Sequence, residues 1–209
     1  MGRPAVFLDR DGTLVREVDY LRTAAQLRLL RGAADAIRRL NEAGLAVVLA
    51  TNQSGIGRGL FTEAELQAVN DELQRRLAAR GARLDAIYYC PHHPGAAVPI
   101  YRKRCRCRKP APGLLLRAAR DLDLDLSRSF AVGDSARDIE AGARAGCRTI
   151  LVRTGYGART EADLATAVRN VARLADQAIA MLDAEKVVAD LPAAVGWILS
   201  QTKGRGRSR

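Results

Sequence analysis

The chain has 209 residues, 48% of them hydrophobic, enough to bury the core of one domain, and no apolar run is long enough to span a membrane. A formal net charge of +11 raises the question of a nucleic-acid partner, but aromatic residues make up only 4%, too few to interleave with a basic stacking surface. Part of the excess lies in a Gly-Arg tail holding Lys203, Arg205, Arg207 and Arg209, which reads as disordered.

Taken in chain order, residues 5–8 read as a short buried strand that breaks into Asp9-Arg10-Asp11-Gly12-Thr13. Alternate residues of an extended chain share a face, so Asp9 and Asp11 can address one ligand. Two carboxylates that close repel unless a divalent cation or a shared proton intervenes. The plain alternative is an Asp-Gly turn with solvated acids. A helix at 33–43 and a strand at 45–50 follow, and the strand runs out into Thr51-Asn52-Gln53-Ser54-Gly55. Hydroxyls and backbone N–H groups in such a turn form a neutral phosphate cradle, with an ordinary polar loop as the alternative.

A helix at 62–80 and a strand at 86–90 lead to Cys90-x-His92, twelve intervening residues, and Cys105-x-Cys107. Three thiolates and one imidazole are a donor set for a closed tetrahedral zinc site. A Cys90–Cys105 disulfide, or merely buried thiols, are the alternatives. His93 reads as an exposed neighbour and Cys147 as a small core residue. Arg108 and Lys109 follow the last ligand directly, and Lys109 offers a positive charge.

A helix at 112–122 precedes a strand at 129–133, which ends in Gly133-Asp134-Ser135 and opens a helix at 135–145. A strand at 148–152, a helical stretch at 161–185 and a closing helix at 191–200 complete the pattern. Alternating strands and helices predict an α/β fold, a single doubly wound, mostly parallel and Rossmann-like sheet in one domain over residues 1–200, with tail 201–209. In such a sheet the carboxyl ends of the strands form one edge, where Asp9, Asp11 and Asp134 converge. Hard oxygen donors of this kind suit magnesium.

These four strand-end clusters, in this order, resemble the motifs of the haloacid dehalogenase-like phosphohydrolases: Asp9-Arg10-Asp11-Gly12-Thr13, Thr51-Asn52, Lys109, and Gly133-Asp134 through Asp138. The segments FLDRDGTL, TNQSGIGRG, YYCPHHP and CRCRKPAPG are most similar to the heptose bisphosphate branch and its histidinol-phosphate neighbour. The long stretch inside the Cys/His group favours the first branch. The resemblance implies a phosphatase in ADP-heptose precursor synthesis with no large cap domain. Asp9 is then the nucleophile, Asp11 the acid–base partner, and Thr51 and Lys109 stabilise the phosphoryl group. Asp9, the Asp11 carbonyl and Asp134 hold Mg2+, Asp138 supports them, and Cys90, His92, Cys105 and Cys107 hold structural Zn2+.

Substrate contacts are expected from Glu17, Val18, Asp19, Tyr20, Asn52, Gln53, Ser54 and Arg108. Ser135 is a further phosphate contact, although some heptose enzymes carry Lys there. The expected partner is a small sugar bisphosphate, with no nucleic acid and no membrane. Met1 runs almost directly into the first strand, which predicts no signal peptide and a cytoplasmic location; a monomer is expected. The competing class, a zinc-stabilised nucleic-acid-binding module, leaves Asp9, Asp11 and Asp134 without a purpose.

Overall fold

The computed structural model describes residues 2–171 and 184–203. Six strands, β1 (Ala5–Leu8), β2 (Ala46–Asn52), β3 (Ala86–Cys90), β4 (Phe130–Gly133), β5 (Arg148–Val152) and β6 (Lys186–Val188), form one sheet in the order β3-β2-β1-β4-β5-β6. Every pairing is parallel, with Phe7 opposite Val48 on one side and Ala131 on the other. The order reverses at β1, so the chain winds first toward β3 and then, from β4 onward, toward β6. Ligands bind at such a reversal, outside the carboxyl ends of the strands.

The period of two along each strand divides the core. Val6, Leu8, Val47, Leu49, Val132 and Ile150 face a layer built from α1 (Ala33–Glu42), α3 (Glu63–Ala78) and α7 (Leu191–Lys203). Ala5, Phe7, Val48, Ala50 and Ala131 face α4 (Gly113–Asp121) through Leu114, Leu115 and Ala118. Burying both faces makes the strands read as unbroken apolar runs, as parallel sheets require. On α1, Ala33, Ala36, Ile37 and Leu40 supply the buried stripe. The start of α3 is fixed by a capping box, with Thr62 accepting from Glu65 N while the Glu65 carboxylate accepts from Thr62 N at 2.7 Å.

Three further helices lie near the strand ends: α2 (Ser54–Gly57), α5 (Ala136–Arg144) and α6 (Gly157–Val171). The expected elements recur with shifted ends. β2 runs on through Thr51 and Asn52 because both pair with β3, opposite Tyr89 and Cys90. The stretch expected to be helical at 161–185 differs more. α6 starts earlier, at Gly157, the part at 172–183 lies outside the described residues, and Lys186–Val188 is an edge strand. α7 continues to Lys203, inside the segment read as tail, and 204–209 lie outside the described residues.

Candidate active site

Asp9 sits one residue past β1, and its N–H still donates to Val132 O at 3.0 Å, so β4 fixes it although its side chain has left the sheet. The chain then folds tightly back, with Leu14 N and Val15 N both donating to Arg10 O. Gly12, at φ 76°, and Gly155, at φ 57°, both lie against the Asp134 carboxylate, and a Cβ on either would run into its Oδ2. Two bare backbones thus clamp Asp134, and Tyr156 N donates to the same oxygen at 2.8 Å.

Lys109 reaches the same point from the loop before α4. Its ammonium donates to Asp9 Oδ1 at 2.8 Å and to Ala50 O at 2.7 Å, and it pairs with Asp138. Asn52 holds the Lys109 backbone from both sides, its amide donating to Lys109 O and its carbonyl accepting from Lys109 N, each at 3.1 Å. Asp138 also accepts from Ser135 N and Ser135 Oγ, so it caps α5 as well as neutralising Lys109. Asp11 has different partners. Arg10, fully buried, donates to it from Nε at 3.1 Å and Nη2 at 2.9 Å, and Gln53 donates from Nε2 at 3.0 Å. Gln53 Nε2 also donates to Thr51 Oγ1 at 3.0 Å, which leaves the Thr51 hydroxyl proton free to point elsewhere.

The electrostatics follow from burial. Removal from water pushes Asp9 up to about 6, with Asp138 and Asp11 adding repulsion and Lys109 opposing it. Asp134 rises further, to about 8, first through burial and then through Asp9. Burial works against the Lys109 ammonium, yet Asp138 and Asp9 hold it above the ordinary lysine value. Carboxylate oxygens of Asp9, Asp134 and Asp138 lie within 4.8 Å of one another. Asp138 is committed to Lys109 and the helix cap, so Asp9 and Asp134 are the desolvated oxygens left for a hard divalent cation.

Around these acids opens a cavity of ≈ 260 Å³. Of the residues expected here, Asp9, Asp11, Thr51, Lys109 and Asp134 line it, together with Glu17, Asp19, Tyr20, Asn52, Gln53, Ser54 and Ser135. Val18 and Arg108 do not. Val18 is half-buried and packs against the hydrophobic core instead. Arg108 is half-buried and turns back to donate to His92 O at 3.2 Å. Asp19 and Tyr20 both take left-handed backbone conformations, at φ 41° and 74°, and Glu17 helps hold them by accepting from Asp19 N at 2.8 Å.

Sequence reasoning missed two lining residues. Tyr156 follows the end of β5, where the same strand-end argument applied to Thr154-Gly155-Tyr156 would have found it; its hydroxyl lies 3.3 Å from Asp19 Oδ1. Arg137, in the first turn of α5, reads in the sequence as one more helical arginine.

Beside the cavity, Cys90, His92, Cys105 and Cys107 come together with their donor atoms within 4.8 Å. The sulfurs of Cys107 and Cys90, and of Cys107 and Cys105, are 3.2 Å apart, and His92 Nδ1 is 3.3 Å from Cys107 Sγ. A disulfide would need about 2.05 Å, and all four cysteines are free. A tetrahedral zinc at about 2.3 Å from sulfur sets sulfur pairs about 3.8 Å apart, near this packing. The hydrogen bond between Cys107 and Cys90 draws the Cys107 thiol down to about 5 and pushes Cys90 up. His93 stays out of it. Only half-exposed, it accepts from Gly95 N at 3.0 Å and lies 3.3 Å from Arg58 Nη2. Cys147 is buried in the core beside Ala145.

Residues 106–179 match the Hydrolase_like family model, described as HAD-hydrolase-like. The chain is 46% identical over 165 residues to the D-glycero-beta-D-manno-heptose-1,7-bisphosphate 7-phosphatase of Photorhabdus laumondii, covering 78% of this chain and 88% of that one. It is 50% identical over 163 residues to the D-glycero-D-manno-heptose-1,7-bisphosphate 7-phosphatase of Thermosynechococcus vestitus, covering 76% and 83%. Among solved structures, the D,D-heptose 1,7-bisphosphate phosphatase of B. bronchiseptica, complexed with magnesium and phosphate, superposes with a TM-score of 0.79 at 39% identity, covering 95% of this chain and 99% of that one.

Proposed function

We propose, since this chain belongs to the HAD-like family of D-glycero-D-manno-heptose-1,7-bisphosphate 7-phosphatases, that it hydrolyses the 7-phosphate of that sugar bisphosphate. The observation that carries the reading is the meeting of Asp9, Lys109 and Asp134 at the point where the sheet order reverses. The nucleic-acid-binding alternative has no use for this buried acid–lysine group.

Asp9 is the nucleophile. Its Oδ1 is occupied by Lys109, which leaves Oδ2 to attack phosphorus and form a phosphoaspartyl ester, dividing one difficult displacement into two easier ones. Asp11 gives a proton to the departing sugar oxygen and later takes one from the water that hydrolyses the ester. Arg10 and Gln53 aim its carboxylate. The Thr51 hydroxyl and the Lys109 charge stabilise the phosphoryl oxygens as negative charge spreads over them. Lys109 spends its donors on Asp9, Ala50 O and Asp138, so it acts on the phosphoryl group mainly as a fixed charge.

Asp9 and Asp134, with the Asp11 carbonyl, would hold Mg2+, which when bound supplies positive charge against the repulsion between Asp9 and phosphate. The four Cys/His donors would hold Zn2+ in a structural role. Glu17, Asp19, Tyr20, Asn52, Gln53, Ser54 and Ser135 are the proposed substrate contacts, and Arg108 belongs to the supporting loop. The reading includes a monomer acting in the cytoplasm on a small molecule, with no nucleic-acid partner. Among the described residues no helix is long and apolar enough to cross a membrane.

Brief incubation with 7-32P-labelled bisphosphate, followed by acid quench, should leave label on the wild-type protein and none on Asp9→Asn. Turnover by Asp9→Asn should fall by about a thousandfold or more, as expected for loss of an essential nucleophile. Label retained by the variant would overturn the covalent assignment.

A further inference from the structure

The cavity lining is strongly acidic, with Asp9, Asp11, Glu17, Asp19, Asp134 and Asp138 around two cations, Lys109 and Arg137. Lys109 is already committed to Asp9 and Asp138. Arg137 has no carboxylate within ion-pair distance among the described residues, although its neighbour along α5, Glu140, pairs instead with Arg144. It is also not alone at the rim. Arg108 lies within electrostatic reach of both Arg137 and Arg58, and neither Arg108 nor Arg58 is paired with a carboxylate among the described residues. Arg58 leans on the His93 ring and Arg108 on the His92 carbonyl, so both are held by uncharged partners that leave their positive charge uncancelled.

The mouth of the cavity is therefore polarised. Glu17 and Asp19 gather with Tyr156, whose hydroxyl meets Asp19, while the zinc-loop side carries the arginines. Hydroxyl groups of a sugar can be satisfied by the carboxylates, but a second phosphate would be repelled there. A guanidinium, by contrast, takes a phosphate through two parallel charge-assisted hydrogen bonds. We propose that Arg137, backed by the charge of Arg58, is the subsite for the second phosphate of a bisphosphate substrate, and so a determinant of bisphosphate over monophosphate choice. This rests on the phosphatase reading above, but not on the identity of the sugar.

The test measures kcat/KM for heptose 1,7-bisphosphate and heptose 7-phosphate, and for fructose 1,6-bisphosphate and fructose 6-phosphate, with wild type, Arg137→Ala, Arg137→Lys and Arg58→Ala. Arg137 is exposed on the first turn of α5, so its replacement should not disturb the fold. Arg137→Ala should lower the bisphosphate-to-monophosphate ratio by about tenfold or more, mainly through KM, as expected for a lost charge-assisted contact. Arg137→Lys should restore part of the ratio, and Arg58→Ala should lower it less. A ratio unchanged by Arg137→Ala, or an equal loss on both esters, would show a merely solvated arginine and overturn the subsite. A wild-type preference for the fructose bisphosphate over the heptose bisphosphate, with the fructose bisphosphate-to-monophosphate ratio still lowered by Arg137→Ala, would support the subsite while overturning the heptose reading.

Discussion

The behaviour of the two raised carboxylates gives the site a measurable signature. Asp9 titrates near 6 and Asp134 near 8, both above the ordinary aspartate value of about 3.9, because burial disfavours their charged forms. The folded protein without metal therefore holds these protons more tightly than the unfolded chain. Their contribution to stability is fully present below about pH 4 and is lost as pH rises through 6 and then 8. A divalent cation at Asp9 and Asp134 competes with those protons and removes the repulsion. The rise in Tm produced by saturating Mg2+ should accordingly be larger at pH 8 than at pH 6, as read by thermal scans with and without EDTA. An equal rise at both pH values would contradict the assignment of these two acids as the cation site. At this scale much was legible in the sequence, because Asp9, Asp11, Thr51, Lys109 and Asp134 each stand at a strand end or beside a zinc ligand. Arg10 and Gln53 stand in the same strand-end runs, but their role in holding Asp11 was not legible there. Their hold on Asp11 depends on a buried guanidinium folding back over its own neighbour, which spacing cannot reveal.

Among the elements, the loop between β3 and α4 connects structure to chemistry. Cys107 and Lys109 are two residues apart, with Arg108 between them tied to the carbonyl of His92. Fixing the Cys/His group therefore fixes the approach of the Lys109 ammonium to Asp9. Cys107→Ser should loosen the loop, and both Tm and phosphatase activity should fall, with no recovery on adding Mg2+. Wild type purified without chelator should carry one zinc per chain by elemental analysis, and its absence would remove the structural role. The Cys-x-His and Cys-x-Cys pairs made this loop legible from sequence. Their one-residue gaps place both members of each pair toward one point, as the close donor packing bears out. Other elements were harder to foresee. β6 spans only Lys186–Val188 at the edge of the sheet, too short for its alternation to register, and its existence depends on pairing with β5. The extension of β2 through Asn52 likewise depends on β3, and it matters because Asn52 is the residue that pins Lys109.

For the whole molecule, the alternation of strands and helices made the parallel α/β class legible, but not the strand order, since hydrophobic runs do not say which neighbour each strand takes. The order β3-β2-β1-β4-β5-β6 places the carboxyl ends of β1, β2 and β4 side by side, and so brings Asp9, Thr51 and Asp134 around one cavity. The net charge of +11 pointed elsewhere, toward nucleic acid. In the structure surface arginines are interleaved with acids, as in the pairs of Arg75 and Arg76 with Glu72, Arg148 with Glu185, and Arg153 with Glu161, so these positions do not form an unbroken basic patch. Such exposed pairs add little stability, but they lower the local field a polyanion would meet.

Steady-state phosphate release tests the choice of substrate. With Mg2+ present, kcat/KM for the 7-phosphate of D-glycero-D-manno-heptose 1,7-bisphosphate should exceed that for histidinol phosphate by at least about a hundredfold. That margin is the scale on which a binding site discriminates when charged contacts to a second phosphate are gained or lost. Equal or faster hydrolysis of histidinol phosphate would overturn the heptose bisphosphate assignment.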